Sequence, residues 1–187
     1  MTEGPLLWYI NRSTGIVVLV LLTLTTVLGV LAIGGKPARG VPRFVTQSVH
    51  RNIALLSVVL LVVHIVSAVA DEFVDIRWWQ AIVPFGGSYE PLWLGLGAAA
   101  LDLMVVVIVT SLLRTRMGHR TWRALHLTAY ALWGLSIAHG IGMGTDLSGS
   151  MWLVTVGCLA TVPIVAALRL GRLLIDRIPN DSGKALR

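Results

Sequence analysis

The sequence has very few cysteines and few charged residues. Cys158 is the only cysteine among 187 residues, so the chain can form no intrachain disulfide and has no thiolate cluster for an iron–sulfur centre. Charged residues make up 13% of the chain, whereas hydrophobic residues make up 56%. A soluble domain of this size would need far more polar surface. The composition therefore excludes a soluble globular domain and indicates a membrane protein.

Five apolar runs follow one another along the chain. Each approaches the length of about 20 residues that an α-helix needs to cross about 30 Å of hydrocarbon. We therefore predict an all-α integral membrane bundle that forms a single domain over residues 1–187. Its five transmembrane helices are expected at about 13–33, 50–70, 92–113, 122–141 and 151–173.

The basic residues are concentrated on one side of this predicted bundle. Thirteen of the 15 Lys and Arg residues lie between or at the ends of helices 1 and 2, around the turn between helices 3 and 4, or at the end of helix 5 and beyond it, and Arg12 and Arg77 are the two exceptions. The positive-inside rule then places the N-terminus outside and the C-terminus in the cytoplasm. The net charge of +6 thus reports topology, and the expected partner is membrane lipid and not nucleic acid.

The longest predicted extramembrane segment, about 71–91, contains adjacent tryptophans, Trp78 and Trp79. Tryptophan is enriched where a membrane protein meets the lipid headgroups. We expect this segment to lie on the outer surface, partly as a short interfacial helix.

Four of the five histidines form two pairs at nearly equal spacing. His50 and His64 are 14 residues apart in predicted helix 2, and His126 and His139 are 13 apart in predicted helix 4. A rise of about 1.5 Å per residue separates the members of each pair by about 20 Å. Because both helices run outward, His50 and His126 share an inner level, and His64 and His139 share an outer level.

Matched histidine levels inside hydrocarbon favour haem binding. An ionisable side chain is costly there and is by default functional, and an imidazole on each face of a porphyrin is a common ligation of b-type haem. The alternative is that each histidine is interfacial or hydrogen-bonded to a neighbouring carbonyl. His119, in the basic turn, is expected to be solvated.

The 13-residue spacing in helix 4 raises a geometric difficulty. At about 100° per residue, 13 residues leave a mismatch of about 140° between the two side-chain directions on a straight helix. We expect either a distortion of helix 4, which Gly134 would permit, or two haems that are not coplanar.

Other residues are candidates for supporting roles. Haem propionates suit arginine: Arg12 lies near the outer level, and Arg51, Arg120 and Arg123 near the inner level, where the positive-inside signal alone would also account for them. Trp133 lies midway between His126 and His139 and would either shorten the gap between two haems or only pack. Asp102, near the middle of helix 3, is either a proton or quinol site or a neutral, hydrogen-bonded acid.

Two segments carry a resemblance to a known family. One runs from His50-Arg51-Asn52-Ile53-Ala54-Leu55-Leu56 through His64, and the other runs from Gly118-His119-Arg120-Thr121-Trp122-Arg123-Ala124-Leu125-His126 through Tyr130 to His139. They resemble the ferric reductase-like transmembrane domain, whose superfamily includes NADPH oxidases, ferric reductases and the haem-binding membrane subunit of the bacterial periplasmic methionine sulfoxide reductase system. The resemblance implies two bis-histidine b haems, with His50 and His126 as inner ligands and His64 and His139 as outer ligands, and electron flow out of the cytoplasm.

The sequence has neither the first helix of the oxidases nor their C-terminal flavin and nicotinamide domain. We therefore expect FAD, FMN or quinone to act only through a partner or a separate site. The expected protein is a multi-pass, di-haem b-type cytochrome of a bacterial plasma membrane, the electron-transfer subunit of an oxidoreductase. Its donor would be a cytoplasmic flavoprotein or membrane quinol, and its acceptor ferric iron, oxygen or an outer-face redox protein. The alternatives are a quinol-oxidising two-haem cytochrome and a haem-free membrane scaffold.

Overall fold

The computed structural model describes residues 4–32, 42–144 and 149–175, and 86% of these residues are helical with no strand among them. This confirms the all-α class. Some of the basic residues that predict the orientation lie outside the described residues, so the direction of the chain across the membrane stays a prediction. The helices are α1 (Gly4–Ala32), α2 (Arg43–Ala70), α3 (Trp78–Ile82), α4 (Pro91–Leu112), α5 (His119–His126), α6 (Thr128–Met143) and α7 (Ser150–Ile175), with a short 3₁₀ turn at Arg114–Arg116.

Four of these helices, α1, α2, α4 and α7, are long and apolar enough to span a membrane. Proline marks two of their beginnings: Pro42 is the N-cap of α2 and Pro91 opens α4, positions at which the missing N–H removes no helical hydrogen bond. α2 starts seven residues earlier than predicted, so His50 lies two turns inside it. Fewer than a third of the residues in each span are buried within the protein, which leaves broad apolar faces for lipid.

The predicted fourth transmembrane helix is interrupted. Residues 122–141 are divided between α5 and α6, which meet at Leu127. Here the Tyr130 amide donates to the Leu127 carbonyl at 3.1 Å, and the Thr128 hydroxyl donates to the Leu125 carbonyl at 2.7 Å. Bonds that reach back only three residues tighten the turn and compete with the regular helical ladder. The structure thus divides the segment predicted as one helix into α5 and α6, and a fifth membrane span stays a prediction because α6 has only 16 residues.

The helices pack around α1, which contacts α2, α6 and α7, while α4 packs along α6. Buried apolar side chains form two adjoining clusters, one containing Leu22 and Met104 and the other Leu19 and Ile137. α2 packs closely on α1 but has no comparable packing with α5 or α6. The bundle therefore leaves room between α2 and the α5–α6 segment.

The segment between α2 and α4 contains the short helix α3, as expected. The Arg77 amide donates to the Gln80 side-chain oxygen at 3.0 Å, which fixes the start of this helix, and Gln80 is buried. Trp78 and Trp79 are exposed beside it, an arrangement that suits tryptophans at a membrane interface.

Candidate functional site

The four paired histidines meet across the space between α2 and the α5–α6 segment. At one level the rings of His50 and His126 have their centroids 6.3 Å apart, with their planes inclined at 56°. At the other level the rings of His64 and His139 are 6.4 Å apart and inclined at 86°. The structure thus brings the histidines together in the two pairs that their spacing predicted.

The interruption at Leu127 falls between the two histidines of the 13-residue spacing. His126 is the last residue of α5 and His139 belongs to α6, and Leu127 between the two helices keeps right-handed helical backbone. The distortion does not occur at Gly134, which lies inside the regular part of α6. A threonine hydroxyl and a backbone hydrogen bond that reaches back three residues mark the interruption, and hydrophobic periodicity predicts neither of them.

The separation within each pair suits one metal ion between two imidazoles. A ring nitrogen lies about 1.1 Å from its ring centroid and binds a metal at about 2.0–2.1 Å, so two imidazoles on opposite sides of one ion have centroids about 6.3 Å apart. Aromatic rings without a metal also pair at about 4.5–7 Å. The hydrogen bonds of the ring nitrogens therefore distinguish a ligand pair from a simple ring contact.

In the outer pair, both rings use Nδ1 for a backbone carbonyl. His64 Nδ1 lies 2.9 Å from the Asn11 oxygen of α1, and His139 Nδ1 lies 2.8 Å from the Trp93 oxygen of α4. A carbonyl only accepts, and a neutral imidazole has a single N–H, so the proton is on Nδ1 and Nε2 keeps a lone pair. Within the described residues neither Nε2 has a hydrogen bond, which leaves both lone pairs available to an electron-pair acceptor.

Two glycines let these rings rest directly on helix backbone. A Cβ at Gly15 would lie 2.9 Å from His64 Cε1, and a Cβ at Gly97 would lie 2.6 Å from His139 Nδ1. Any larger residue would displace the imidazole from its carbonyl. The sequence analysis missed both glycines, although glycine inside a membrane helix often marks a close approach to a neighbouring helix.

Asn11 also ties the two helices of this level together. Its amide nitrogen donates to the His64 backbone oxygen at 2.8 Å and approaches the Ser67 hydroxyl at 3.5 Å. The side chain of Asn11 therefore holds the backbone of α2 while its carbonyl holds the imidazole of His64.

A cavity of about 400 Å³ opens beside the outer pair. Its lining includes His64, His139, Gly15, Gly97 and Arg12, and its volume falls in the range of about 300–1,000 Å³ that is typical of small-molecule sites. Arg12 lies over the Trp8 ring at 5.1 Å, and its Nε contacts Met151 Sδ at 3.1 Å. The arginine predicted for the outer level thus borders the same cavity as both outer histidines.

The inner pair is held differently. The His50 ring lies beside the backbone of Thr25, and His126 Nδ1 is buried and has no hydrogen-bond partner among the described residues. His126 instead stacks on Trp122, with 5.0 Å between centroids and 21° between planes. Trp122 Nε1 is the other buried side-chain atom without a partner in the described ranges. The guanidinium of Arg114 covers this indole at 5.6 Å.

The remaining candidates lie apart from the cavity. Arg51, Arg120 and Arg123 are exposed, and their predicted contact with propionates stays a prediction. The Trp133 indole donates to the Thr23 hydroxyl at 3.0 Å and packs against both buried clusters. Asp102 is half-buried on α4 and does not line the cavity. His119 is exposed, as expected.

The donor set fits haem better than a bare ion. No group of three or more His, Cys, Asp or Glu side chains that could hold a metal ion occurs among residues 4–32, 42–144 and 149–175. Two histidine imidazoles would suffice to hold a haem, whose porphyrin would supply the remaining nitrogen ligands. The open lone pairs, the pair separations and the adjoining cavity all agree with that coordination.

A family model described as "Ferric reductase like transmembrane component" matches residues 14–137. The match includes His50, His64 and His126 and ends two residues before His139. Searches of curated proteins and of solved structures gave no significant match. Domains of this family are membrane electron-transfer components and generally bind haem. The matched segment is about two thirds of the sequence, and with the four membrane-length helices it shows that the chain is a multi-pass membrane protein that belongs to the ferric reductase-like transmembrane family.

Proposed function

We propose that this protein is a di-haem b-type cytochrome that carries electrons from a cytoplasmic donor to an acceptor at the outer face of the membrane. The single observation that carries the proposal is the pair of facing histidine couples, at 6.3 and 6.4 Å. When bound, the haems would supply one-electron chemistry at iron. The protein acts in this scheme as the transmembrane electron-transfer subunit of an oxidoreductase.

The side chains have distinct tasks in this proposal. His50 and His126 hold the inner haem, and His64 and His139 hold the outer haem. The Asn11 and Trp93 carbonyls fix the Nδ1 proton and the ring orientation of the outer ligands, so that Nε2 is presented for coordination. Such hydrogen bonds also raise the basicity of the ligand.

Charged and aromatic neighbours support the two levels. Arg12 borders the cavity of the outer pair, and a guanidinium suits the carboxylate of a propionate. Arg51 and Arg123 lie beside the inner histidines in the sequence and would serve the inner propionates. Trp133 stands between the two levels and is proposed to narrow the gap that an electron must cross.

The donor and the acceptor are proposed to be separate molecules. Flavin or quinone would deliver electrons from a cytoplasmic flavoprotein or from membrane quinol, and ferric iron, oxygen or a redox protein would receive them outside. The basic turn after α4 exposes Arg114, Arg116 and Arg120. Clustered positive charge of this kind attracts an acidic protein partner.

The decisive experiment is a haem count on the purified protein by pyridine haemochrome, with the visible spectrum. We expect two low-spin b haems per chain. His50→Ala and His126→Ala should each deplete one haem, and His64→Ala and His139→Ala should each deplete the other. His119→Ala is the matched control, because His119 is exposed and belongs to neither pair.

Each other outcome contradicts a specific part of the proposal. A single haem per chain would rule out the two-level arrangement, and a colourless protein would favour a haem-free scaffold. Indistinguishable residual spectra for His50→Ala and His64→Ala would refute the pairing. Reduction by a quinol that is lost in Asp102→Asn would favour a quinol-oxidising cytochrome.

A further inference from the structure

The ring of His126 is held by a different kind of contact from the rings of the outer pair. His64 and His139 each place Nδ1 on a backbone carbonyl, at 2.9 and 2.8 Å, whereas His126 Nδ1 is buried and has no hydrogen-bond partner among the described residues. The side chain itself restricts rotation of an imidazole about its Cβ–Cγ bond only weakly. Another contact is therefore needed to fix the plane of the His126 ring.

Trp122 supplies such a contact from the same helix. It comes four residues before His126 in α5, a spacing that brings two side chains together on one helix face. The two rings are stacked, with 5.0 Å between their centroids and 21° between their planes. Rotation of the imidazole out of this orientation would break the stack, so the indole restrains the plane of the ring.

The indole of Trp122 is itself contacted from outside α5. The guanidinium of Arg114, in the 3₁₀ turn after α4, lies over the Trp122 ring at 5.6 Å, a separation within the range of a cation–π contact. Trp122 is half-buried and Arg114 is exposed. The indole thus connects the basic turn with the ring of the proposed inner ligand.

The stack uses the aromatic surface of Trp122 and not its polar atom. Nε1 of the indole is buried and has no hydrogen-bond partner within residues 4–32, 42–144 and 149–175. Phenylalanine at this position would therefore retain a ring for His126 to stack on without removing a hydrogen bond seen in that part of the chain.

The angle between the two ring planes differs from one level to the other. The planes of His50 and His126 are inclined at 56°, and those of His64 and His139 at 86°. The electron paramagnetic resonance signal of a low-spin ferric haem depends on the angle between its two axial imidazole planes. The two haems should therefore give distinct signals, and a rotation of His126 alone should change only one of them.

We propose that Trp122 is a positioning residue that sets the plane of the His126 ring and thereby the relative orientation of the two inner ligands. This inference rests on the proposed function, in which His126 holds the inner haem. A ligand whose rotamer is locked by packing is held in its productive geometry. The stack with Trp122 thus does for His126 what the backbone carbonyls do for the outer histidines.

The test measures the electron paramagnetic resonance spectrum and the haem affinity of the purified protein with substitutions at position 122. Trp122→Leu keeps an apolar side chain but removes the ring, so the inner ferric signal should broaden or move while the outer signal stays at its wild-type position. Haem affinity at the inner level should fall about twofold to tenfold, the loss expected for one aromatic pair. His50→Ala and His64→Ala, each of which should retain one haem, assign the two signals.

Three other variants complete the test. Trp122→Phe retains an aromatic ring and should keep the inner signal and the inner affinity at the wild-type values. Trp78→Leu is the matched control, because it removes an exposed indole in α3, and it should change neither haem. Trp122→Met also lacks a ring and repeats the measurement if Trp122→Leu loses the outer haem as well, which would indicate a general loss of the fold.

The outcomes separate this inference from the function on which it rests. A changed inner signal in Trp122→Leu that Trp122→Phe does not show supports the role of the stack. A wild-type inner signal in Trp122→Leu or Trp122→Met, in a protein that carries two haems, overturns the inference and leaves the proposed function intact. An inner signal in Trp122→Phe that matches the one in Trp122→Leu also overturns it, because an aromatic ring would then not be what holds His126. A wild-type protein without two haems overturns the proposed function itself.

Discussion

Replacing Gly97 by alanine should weaken haem binding at the outer level. The new Cβ would lie 2.6 Å from His139 Nδ1 and 2.7 Å from its Cε1, whereas carbon atoms in ordinary contact are about 3.5–4.0 Å apart. The ring must therefore move by about 1 Å. A movement of that size breaks the 2.8 Å hydrogen bond to the Trp93 carbonyl, because N–H···O bonds extend only to about 3.2 Å.

The expected size of the effect follows from that lost bond. A buried N–H without a partner costs about 1–3 kcal/mol, and loss of an outer partner of a metal-bound histidine typically reduces affinity about 10-fold to 100-fold. We therefore expect haem affinity at the outer level to fall by about 10-fold to 100-fold, while the inner level keeps its haem. Gly15→Ala should act in the same direction through His64, since its Cβ would lie 2.9 Å from that ring.

Haem titration of the apoprotein, followed by absorbance, measures both levels in one sample. The inner haem is the internal reference, and Gly134→Ala is the matched control because a Cβ there meets nothing within 4 Å. Thermal unfolding followed by circular dichroism checks that the variants remain folded. If Gly97→Ala bound two haems with wild-type affinity and an unchanged outer spectrum, Gly97 would not determine the position of the His139 ring.

Three further predictions concern topology, electron entry and the tie between α1 and α2. In a cysteine-free background, a cysteine at Ser88 should react with an impermeant thiol reagent on intact cells and one at Thr115 should not; the reverse pattern would overturn the orientation. NADH or NADPH alone should not reduce the haems, whereas an added flavin reductase or a quinol should, and rapid reduction by NADPH alone would contradict this expectation. Added salt should lower the rate at which an acidic protein donor reduces the haems, because it screens the positive charge of the basic turn. Asn11→Ala should lower the free energy of unfolding by about 1 kcal/mol through loss of the 2.8 Å bond to the His64 backbone, measured by denaturant unfolding, and an unchanged value would show that this bond contributes nothing.

The main features of the fold and the pairing of the histidines could be predicted from the sequence. Apolar runs of membrane length specify helices because a backbone in lipid must satisfy its own hydrogen bonds. The regular rise of a helix then converts the spacings of His50, His64, His126 and His139 into depths. The direction of each helix determines which histidines share a level, and the structure brings the rings of those pairs to 6.3 and 6.4 Å.

Only the tertiary structure decided which backbone carbonyls hold the histidine rings. The Asn11 carbonyl is 53 residues from His64, and the Trp93 carbonyl is 46 residues from His139. Backbone acceptors have no signature in the sequence, because every residue has a carbonyl and only the register between two helices selects one. For the same reason, the sequence alone does not distinguish Gly15 and Gly97 from other small residues of a membrane helix.

The interruption at Leu127 likewise depends on context. A threonine hydroxyl within a helix can bond an earlier carbonyl, as Thr128 and Thr110 both do. At Thr128 that bond accompanies a change in the helical ladder, whereas at Thr110 it leaves α4 continuous. The sequence determined which groups lie at each depth of the membrane, and the packing of α4 against α5 and α6 decided which of them can hydrogen-bond, because a hydrogen bond depends on distances of a few tenths of an ångström that only the register of the helices sets.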